Sequence, residues 1–496
     1  MNKLITLILL LLLPPLAFSL GASQPNIIFM LSDDQGWTET SVPMHPDIPN
    51  SKSEVVQTPN LLKLAKQGMR FSQGYSPASV CAPTRLSLQN GKSPGQNHWT
   101  KASRPYTAAD GFKLIPPPNI RNISNDEFTI GELLQEAGYA TAHYGKWHIN
   151  GGGPEAHGYD ESDGETGNEH AAPHKGDNPV DIFGMGKRAA AFMEKHVKAG
   201  KPFFIQLSYN ALHYPENARP DTVAKYRKLM RNGNERSIGR AALGENLDEG
   251  IGLLMAKVDE LGIADNTYVV YMSDNGAGGG GGGRNPLSGG KGDVREGGIR
   301  VPLFIRGPGI EANSWSHQAV VGYDFYNTFA EWAGYKKSLP KNIEGGSITH
   351  LLAGKNKPVS RSREGLVFHF PHYQGDTPHS TLIKGDYKLL HFYETEESQL
   401  YNLAKDLKES RNLAKAQPEL ATAMESELFS RLKAIGADLP EINPNYDPNN
   451  PPQIRRGGGG RNREARGNRG GGQGGNREGR GGNRGDRQNR DRQNRN

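Results

Sequence analysis

Asn26-Ile27-Ile28-Phe29-Met30-Leu31-Ser32-Asp33-Asp34 is the stretch on which the fold turns. Ile27 to Leu31 are apolar without interruption, which reads as a strand buried on both faces, as in a parallel sheet. Asp33 and Asp34 follow at its C-terminal end. Two adjacent carboxylates beside a buried strand are costly unless a cation or hydrogen-bond donors meet them. In open α/β sheets, ligand sites form at that edge. Taken alone, an Asp-Asp pair is more often a solvated turn with a helix cap.

Working outward, the same pattern recurs. Residues 139–144 form a strand that ends in Gly145-Lys146-Trp147-His148, and residues 202–207 form another that leads to His213. Residues 267–272 form a third, ending in Ser273-Asp274-Asn275-Gly276, and a further strand is expected near 301–305. Helical patterns separate them. Thr58-Pro59-Asn60 opens a helix with Leu61, Leu62, Ala65 and Met69 on its apolar face, and Gly68 can end it. Thr129 and Glu132 form a capping box for a helix that stops near Gly138. Residues 185–198 read as a helix. Leu243, Leu247, Ile251, Leu254, Val258 and Leu261 mark a longer one by their helical spacing. Strand–helix alternation of this kind predicts an α/β fold with a mostly parallel sheet between helices. Residues 91–126 and 150–180 are polar and aperiodic and are expected to be long surface excursions. From about residue 364, short strands at 366–370, 381–383 and 387–392 predict a small antiparallel sheet, with a last helix near 419–435 packed on it.

The 496 residues carry a net charge of +6. Residues 455–496 hold 13 Arg against 4 Asp or Glu, so they carry +9 and leave the remainder at −3. This Gly/Arg/Asn-rich tail cannot bury enough apolar area to offset its ordering entropy and is expected to be disordered. Its arginines suit extracellular polyanions, and no nucleic-acid partner is expected. Residues 1–23 read as a signal peptide: Lys3, an apolar run over residues 4–13, Pro14-Pro15, then small residues. That run is too short to span a bilayer, which takes about 20 residues. A secreted or periplasmic protein is expected. The domain reading is a signal over 1–23, a catalytic domain over 24–363, a C-terminal subdomain over 364–447 and the tail over 448–496.

The single cysteine lies in Ser79-Val80-Cys81-Ala82-Pro83-Thr84-Arg85. One cysteine allows no internal disulfide. Pro83 fits the first turn of a helix, so Cys81 falls at a helix N-terminus, where N–H groups and the dipole favour negative charge. Arg85 follows one turn on. A core cysteine and an anion-binding nucleophile are both open on spacing alone. The stretch resembles the formylglycine signature of the sulfatase family, Cys-x-Pro-x-Arg followed by a Gly. The other groups that family needs occur in order from Asn26 to Leu413, including Gly289-Gly290-Lys291 and Glu296-Gly297-Gly298-Ile299-Arg300-Val301-Pro302. The resemblance therefore also implies an alkaline-phosphatase-like fold.

The resemblance implies a set of roles. Metal ligands fall on Asp33, Asp34, Cys81, Asp274 and Asn275. Sulfate-binding and proton-transfer groups fall on Arg85, Lys146, His148, His213 and Lys291. A formylglycine-generating maturation enzyme would oxidise Cys81 to Cα-formylglycine. The all-oxygen donor set suits one Ca²⁺ per chain rather than Zn²⁺. The hydrated aldehyde would attack sulfur, a covalent sulfo-enzyme would form, His213 or Lys291 would protonate the leaving alcohol, and His148 would assist release of sulfate. Thr166 is a candidate for an extra sulfate-contacting hydroxyl. His369, His372 and Tyr373 lie in a run like one in carbohydrate-directed relatives, which implies contact with a sulfated carbohydrate; ordinary packing of the smaller sheet is the other reading. Two rival functions are a phosphatase or phosphonate hydrolase of the same superfamily and a catalytically inactive polyanion-binding homologue.

Overall fold

The computed structural model describes residues 24–278 and 285–454. The expected signal peptide, and the expected tail apart from residues 448–454, lie outside the described residues. Eight strands form the main sheet: β1 (Asn26–Ser32), β2 (Met69–Phe71), β3 (Ala140–Gly145), β4 (Glu161–Ser162), β5 (Phe203–Ser208), β6 (Thr267–Ser273), β7 (Leu303–Arg306) and β8 (Ser314–Ser316), in the order β8-β2-β7-β6-β1-β5-β3-β4. β1 is central and pairs in parallel with β5 and β6. β7 pairs antiparallel with both β6 and β2, so the strand expected near 301–305 interrupts an otherwise parallel sheet.

Alternation along β1 accounts for the layers. Ile27, Phe29 and Leu31 face a core that includes residues of α2 (Cys81–Asn90), α3 (Ile130–Glu136) and α6 (Asp324–Trp332). Ile28 and Met30 face the opposite core, with α1 (Pro59–Lys66), α4 (Ile182–Lys198) and α5 (Glu235–Glu260). Every β1 residue is buried, and each such aliphatic side chain contributes about 1.5–3 kcal/mol. The apolar run therefore reports burial on both faces.

The smaller sheet has four antiparallel strands, β9 (Leu366–Phe370), β10 (His379–Lys384), β11 (Tyr387–Phe392) and β12 (Glu397–Asn402). Helix α7 (Pro418–Ala434) packs Met424, Leu428 and Leu432 on Leu382, Leu389 and Leu400.

Two local expectations are corrected, and two elements were not foreseen. Met69 belongs to β2 rather than to the helix before it: α1 ends at Lys66, and the chain then passes so close to β7 that a Cβ on Gly68 would lie 2.0 Å from the Ile305 carbonyl oxygen. Residues 91–126 are not purely a surface excursion, because Trp99 and Ile123 join the main core and Thr100 and Lys101 are buried. Strand β12 and helix α6 were not anticipated; the Glu397-Ser398-Gln399 half of β12 lacks an apolar alternation.

Candidate active site

Register brings the strand ends together. Ser32 of β1 is paired with Ser273 of β6, so Asp33 and Asp274 leave the sheet side by side. The Asp274 amide donates to Ser32 O at 3.0 Å, and the Asp34 amide donates to Asp274 Oδ1 at 3.1 Å. Asn275 Nδ2 donates to Asp34 Oδ1 at 2.8 Å. From the end of β3, Lys146 places its ammonium 2.5 Å from Asp33 Oδ2. Lys291, from the loop after β6, lies 2.6 Å from Asp34 Oδ1. Cys81 is the first residue of α2, and Arg85, one turn on, donates from Nε and Nη2 to Asp274 Oδ2 at 3.1 and 2.7 Å. Its Nη1 donates to Lys146 O at 2.6 Å. Three carboxylates and three cations thus interlock in one buried cluster.

The environment sets each proton. Burial works to raise Asp33, but Lys146, His213 and Arg85 hold it well below the usual carboxylate range. Burial and the charge of Asp33 push Asp274 up to about 7 against the pull of Arg85. Burial pushes the Cys81 thiol up despite nearby Lys146 and Lys291, so as a thiol it stays protonated. Burial, then Lys146 and Arg85, drives His148 down to about 2 and keeps its ring neutral. His213 is lowered chiefly by burial; its Nδ1 lies 2.7 Å from Tyr214 O, which fixes that nitrogen as donor and leaves Nε2 as the free acceptor.

A family model described as Sulfatase matches residues 25–335 of this chain. This chain belongs to the sulfatase family. It is a sulfuric ester hydrolase. A second model, N-sulphoglucosamine sulphohydrolase C-terminal, matches residues 291–437. The chain is similar to a sulfatase of Formosa agariphila, 31% identical over 80% of this chain and 86% of the relative. It is also similar to the N-acetylgalactosamine-6-sulfatase of Canis lupus familiaris, 29% identical over 75% of this chain and 73% of the relative. Among solved structures it resembles Ps i-CgsB in complex with k-i-k-neocarrahexaose, with a TM-score of 0.69 and 25% identity over 82% of this chain and 93% of that one.

Sulfatases generally use formylglycine and Ca²⁺, and the residues here fit such a cation. Asp33, Cys81 and Asp274 each offer a ligand atom within 4.8 Å of the others. Asp33 Oδ1 and Asn275 Oδ1 are buried with no hydrogen-bond partner. Both are acceptors, so a cation or a donor is what would satisfy them. With Asp34 they form an oxygen-rich set of the kind hard divalent cations take.

Of the sequence-predicted residues, Asp33, Asp34, Cys81, Arg85, Lys146, Asp274, Asn275 and Lys291 converge in this one cluster, with His148 and His213 near enough for its charges to shift their pKa values. Thr166 is spent inside the protein: its hydroxyl donates to Gly145 O at 2.5 Å and accepts from the Trp147 amide. It orders the turn carrying Lys146 and His148. The substrate contacts expected of His369, His372 and Tyr373 are corrected. All three are buried; His369 bonds Ser380 Oγ and Asp438 O, His372 Nε2 bonds Thr100 Oγ1, and Tyr373 stacks on Phe112. They pack the seam between the 91–126 segment and the smaller sheet. Sequence reasoning missed Arg240 on α5, which donates to the carbonyl of Asp34 and to Leu212 O while paired with Glu39. The helical leucine spacing carries no sign of it. It also missed Gln374, whose side chain lies against Gly292, next to Lys291.

Proposed function

We propose that this sulfatase hydrolyses a sulfate monoester on a carbohydrate, with Cys81 matured to Cα-formylglycine and one Ca²⁺ held by Asp33, Asp34, Asp274, Asn275 and residue 81. The observation that carries this reading is the pair of unpartnered buried acceptors, Asp33 Oδ1 and Asn275 Oδ1, beside a thiol that burial keeps protonated. A protonated thiol is a poor nucleophile. The hydrated aldehyde would supply a hydroxyl nucleophile, and the cation would offset negative charge on the sulfate. Arg85, Lys146 and Lys291 are the fixed positive charges that bind the sulfate oxygens. They need no reorganisation, because Arg85 is held by Asp274 and Lys146 O, Lys146 by Asp33, and Lys291 by Asp34. Neutral His148 takes a proton from a hydroxyl at residue 81. His213, once protonated at Nε2, donates to the departing alcohol oxygen, with Lys291 as the other donor in reach of the site's charge.

Carbohydrate substrates are supported by the named activities of relatives: an N-acetylgalactosamine-6-sulfatase, an ulvan-active sulfatase of Formosa agariphila, and a structure holding a neocarrahexaose. Export to the periplasm or beyond fits the leader-like residues 1–23, and the catalytic domain, the subdomain from about 364 and the tail from about 448 form the working division of the chain. No helix among the described residues is long and apolar enough to cross a membrane. The deciding experiment joins peptide mass spectrometry at residue 81 with rates on sulfated saccharides and an aryl sulfate. An aldehyde at residue 81 with saccharide turnover is expected. Full activity from protein bearing only the thiol would overturn the nucleophile assignment.

A further inference from the structure

Tyr214 is the single aromatic among the exposed large hydrophobic residues described, with 52% of its surface open to solvent. An isolated exposed aromatic needs no explanation by itself. Tyr214, however, is held in place. It follows His213 directly, and the His213 ring bonds its carbonyl oxygen. The guanidinium of Arg236 lies over its ring, 5.8 Å from the centroid. Arg236 is in turn fixed by Nε to Glu216 at 3.0 Å and by Nη2 to Gly278 O at 3.1 Å. Among the described residues its Nη1 has no hydrogen-bond partner.

Arg236 also ties this wall to the catalytic cluster. A Cβ placed on Gly278 would sit 3.2 Å from Asp34 Oδ2 and 3.9 Å from Arg236 Nη2. One glycine therefore separates the guanidinium from a proposed cation ligand. Beside it, Arg236, Asn234, Ser237, Glu39, Val55 and Leu212 line a hollow of about 520 Å³. An anchored cation with a free N–H, an aromatic face and an adjoining hollow match the chemistry of a sugar ring bearing an anionic substituent.

We infer that Tyr214 and Arg236 form a specificity subsite for the sugar next to the one that carries the scissile sulfate, with the ring on the Tyr214 face and an acidic group, sulfate or carboxylate, on Arg236. This rests on the carbohydrate reading proposed above. The test compares a sulfated monosaccharide with disaccharides whose neighbouring sugar is neutral, sulfated or a uronate, using matured wild type, Tyr214→Ala, Tyr214→Phe and Arg236→Gln. Loss of the aromatic face should raise KM for every disaccharide about tenfold and leave the monosaccharide unchanged, while Tyr214→Phe restores it. Arg236→Gln should raise KM about tenfold for acidic neighbours only, and the sulfated and uronate arms show which acid is read. Disaccharide hydrolysis that both variants leave intact, or equal losses on monosaccharide and disaccharide, would overturn the subsite and spare the carbohydrate reading. Wild type that cleaves only aryl sulfates would remove that reading and the subsite with it.

Discussion

Lys388→Met should be among the most damaging single changes outside the catalytic cluster. The Lys388 ammonium, on β11, lies 2.9 Å from Glu296 and 2.9 Å from Glu409, and all three side chains are fully buried. Glu296 is also paired with Arg300 at 2.7 Å and accepts from Tyr75 at 3.0 Å. Among the described residues Glu409 has no second cation; it accepts from Ser288 Oγ and the Glu296 amide. The two carboxylates accordingly shift in opposite directions. Burial opposes both, but Lys388 and Arg300 pull Glu296 down, whereas burial and the charge of Glu296 leave Glu409 raised. Removing the cation strands Glu409 as a buried anion, and breaking such a pair costs about 3–5 kcal/mol. The variant can limit that loss by protonating Glu409. A raised carboxyl keeps its stability below the unfolded pKa and loses it as pH rises, so the deficit should be largest at neutral pH and shrink toward pH 5. The assay is urea unfolding of Lys388→Met at both pH values. Lys388→Met combined with Glu409→Gln should recover much of the loss, since the stranded charge is gone. A deficit below about 1 kcal/mol, or one that does not change with pH, would refute the reasoning.

Three further outcomes are expected. Cys81→Ser should fold and retain substrate binding while turnover disappears, because the serine hydroxyl cannot be converted by a route that starts from a thiol; binding calorimetry and single-turnover rates check this. Purified enzyme should carry about one Ca²⁺ per chain, and Asp274→Asn should lower that occupancy; two zinc ions by elemental analysis would contradict the oxygen-rich site. His369, pushed down to about 4 chiefly by burial, makes the fold acid-labile: its folded pKa is depressed, so stability is lost as pH falls from about 6.5 toward 4, by about 3 kcal/mol in all. His369→Gln should flatten that slope in pH-dependent unfolding.

Much of the main sheet was legible because burial on both faces leaves a compositional mark. Residues 27–31 and 269–272 are apolar, and 203–207 are apolar apart from Gln206, since each strand is buried on both faces. Elements whose environment is mixed left no such mark. β12 begins with Glu397-Ser398-Gln399 at the open edge of its sheet, where hydrogen bonding rather than burial holds it. Gly68 marks the end of α1 in the sequence, but what puts Met69 into β2 rather than on the helix face, a close backbone crossing by β7, lies more than two hundred residues away in sequence.

The cluster was legible for a different reason. Asp33, Asp34, Lys146 and Asp274 sit where strands end, and a strand end is visible in sequence as the switch from apolar to polar residues. Ser32-Asp33 and Ser273-Asp274 show the same switch, and the β1–β6 register turns two similar sequences into one site. Groups that act from the middle of helices or from behind the wall have no equivalent sign. Arg240 holds the Asp34 carbonyl from the interior of α5, where an arginine reads as a solvated face. His369, His372 and Tyr373 misled in the opposite direction. Polar aromatic residues at the end of a strand look like ligands, yet Thr100 and Phe112, from the segment expected to be a surface excursion, and Ser380, on the neighbouring strand, cover them. Sequence therefore reports which groups leave the sheet edge, while the covering loops decide which of them can reach a substrate. On that ground the exposed Tyr214, rather than the buried His372, is the aromatic group from which specificity for the sugar should be lost.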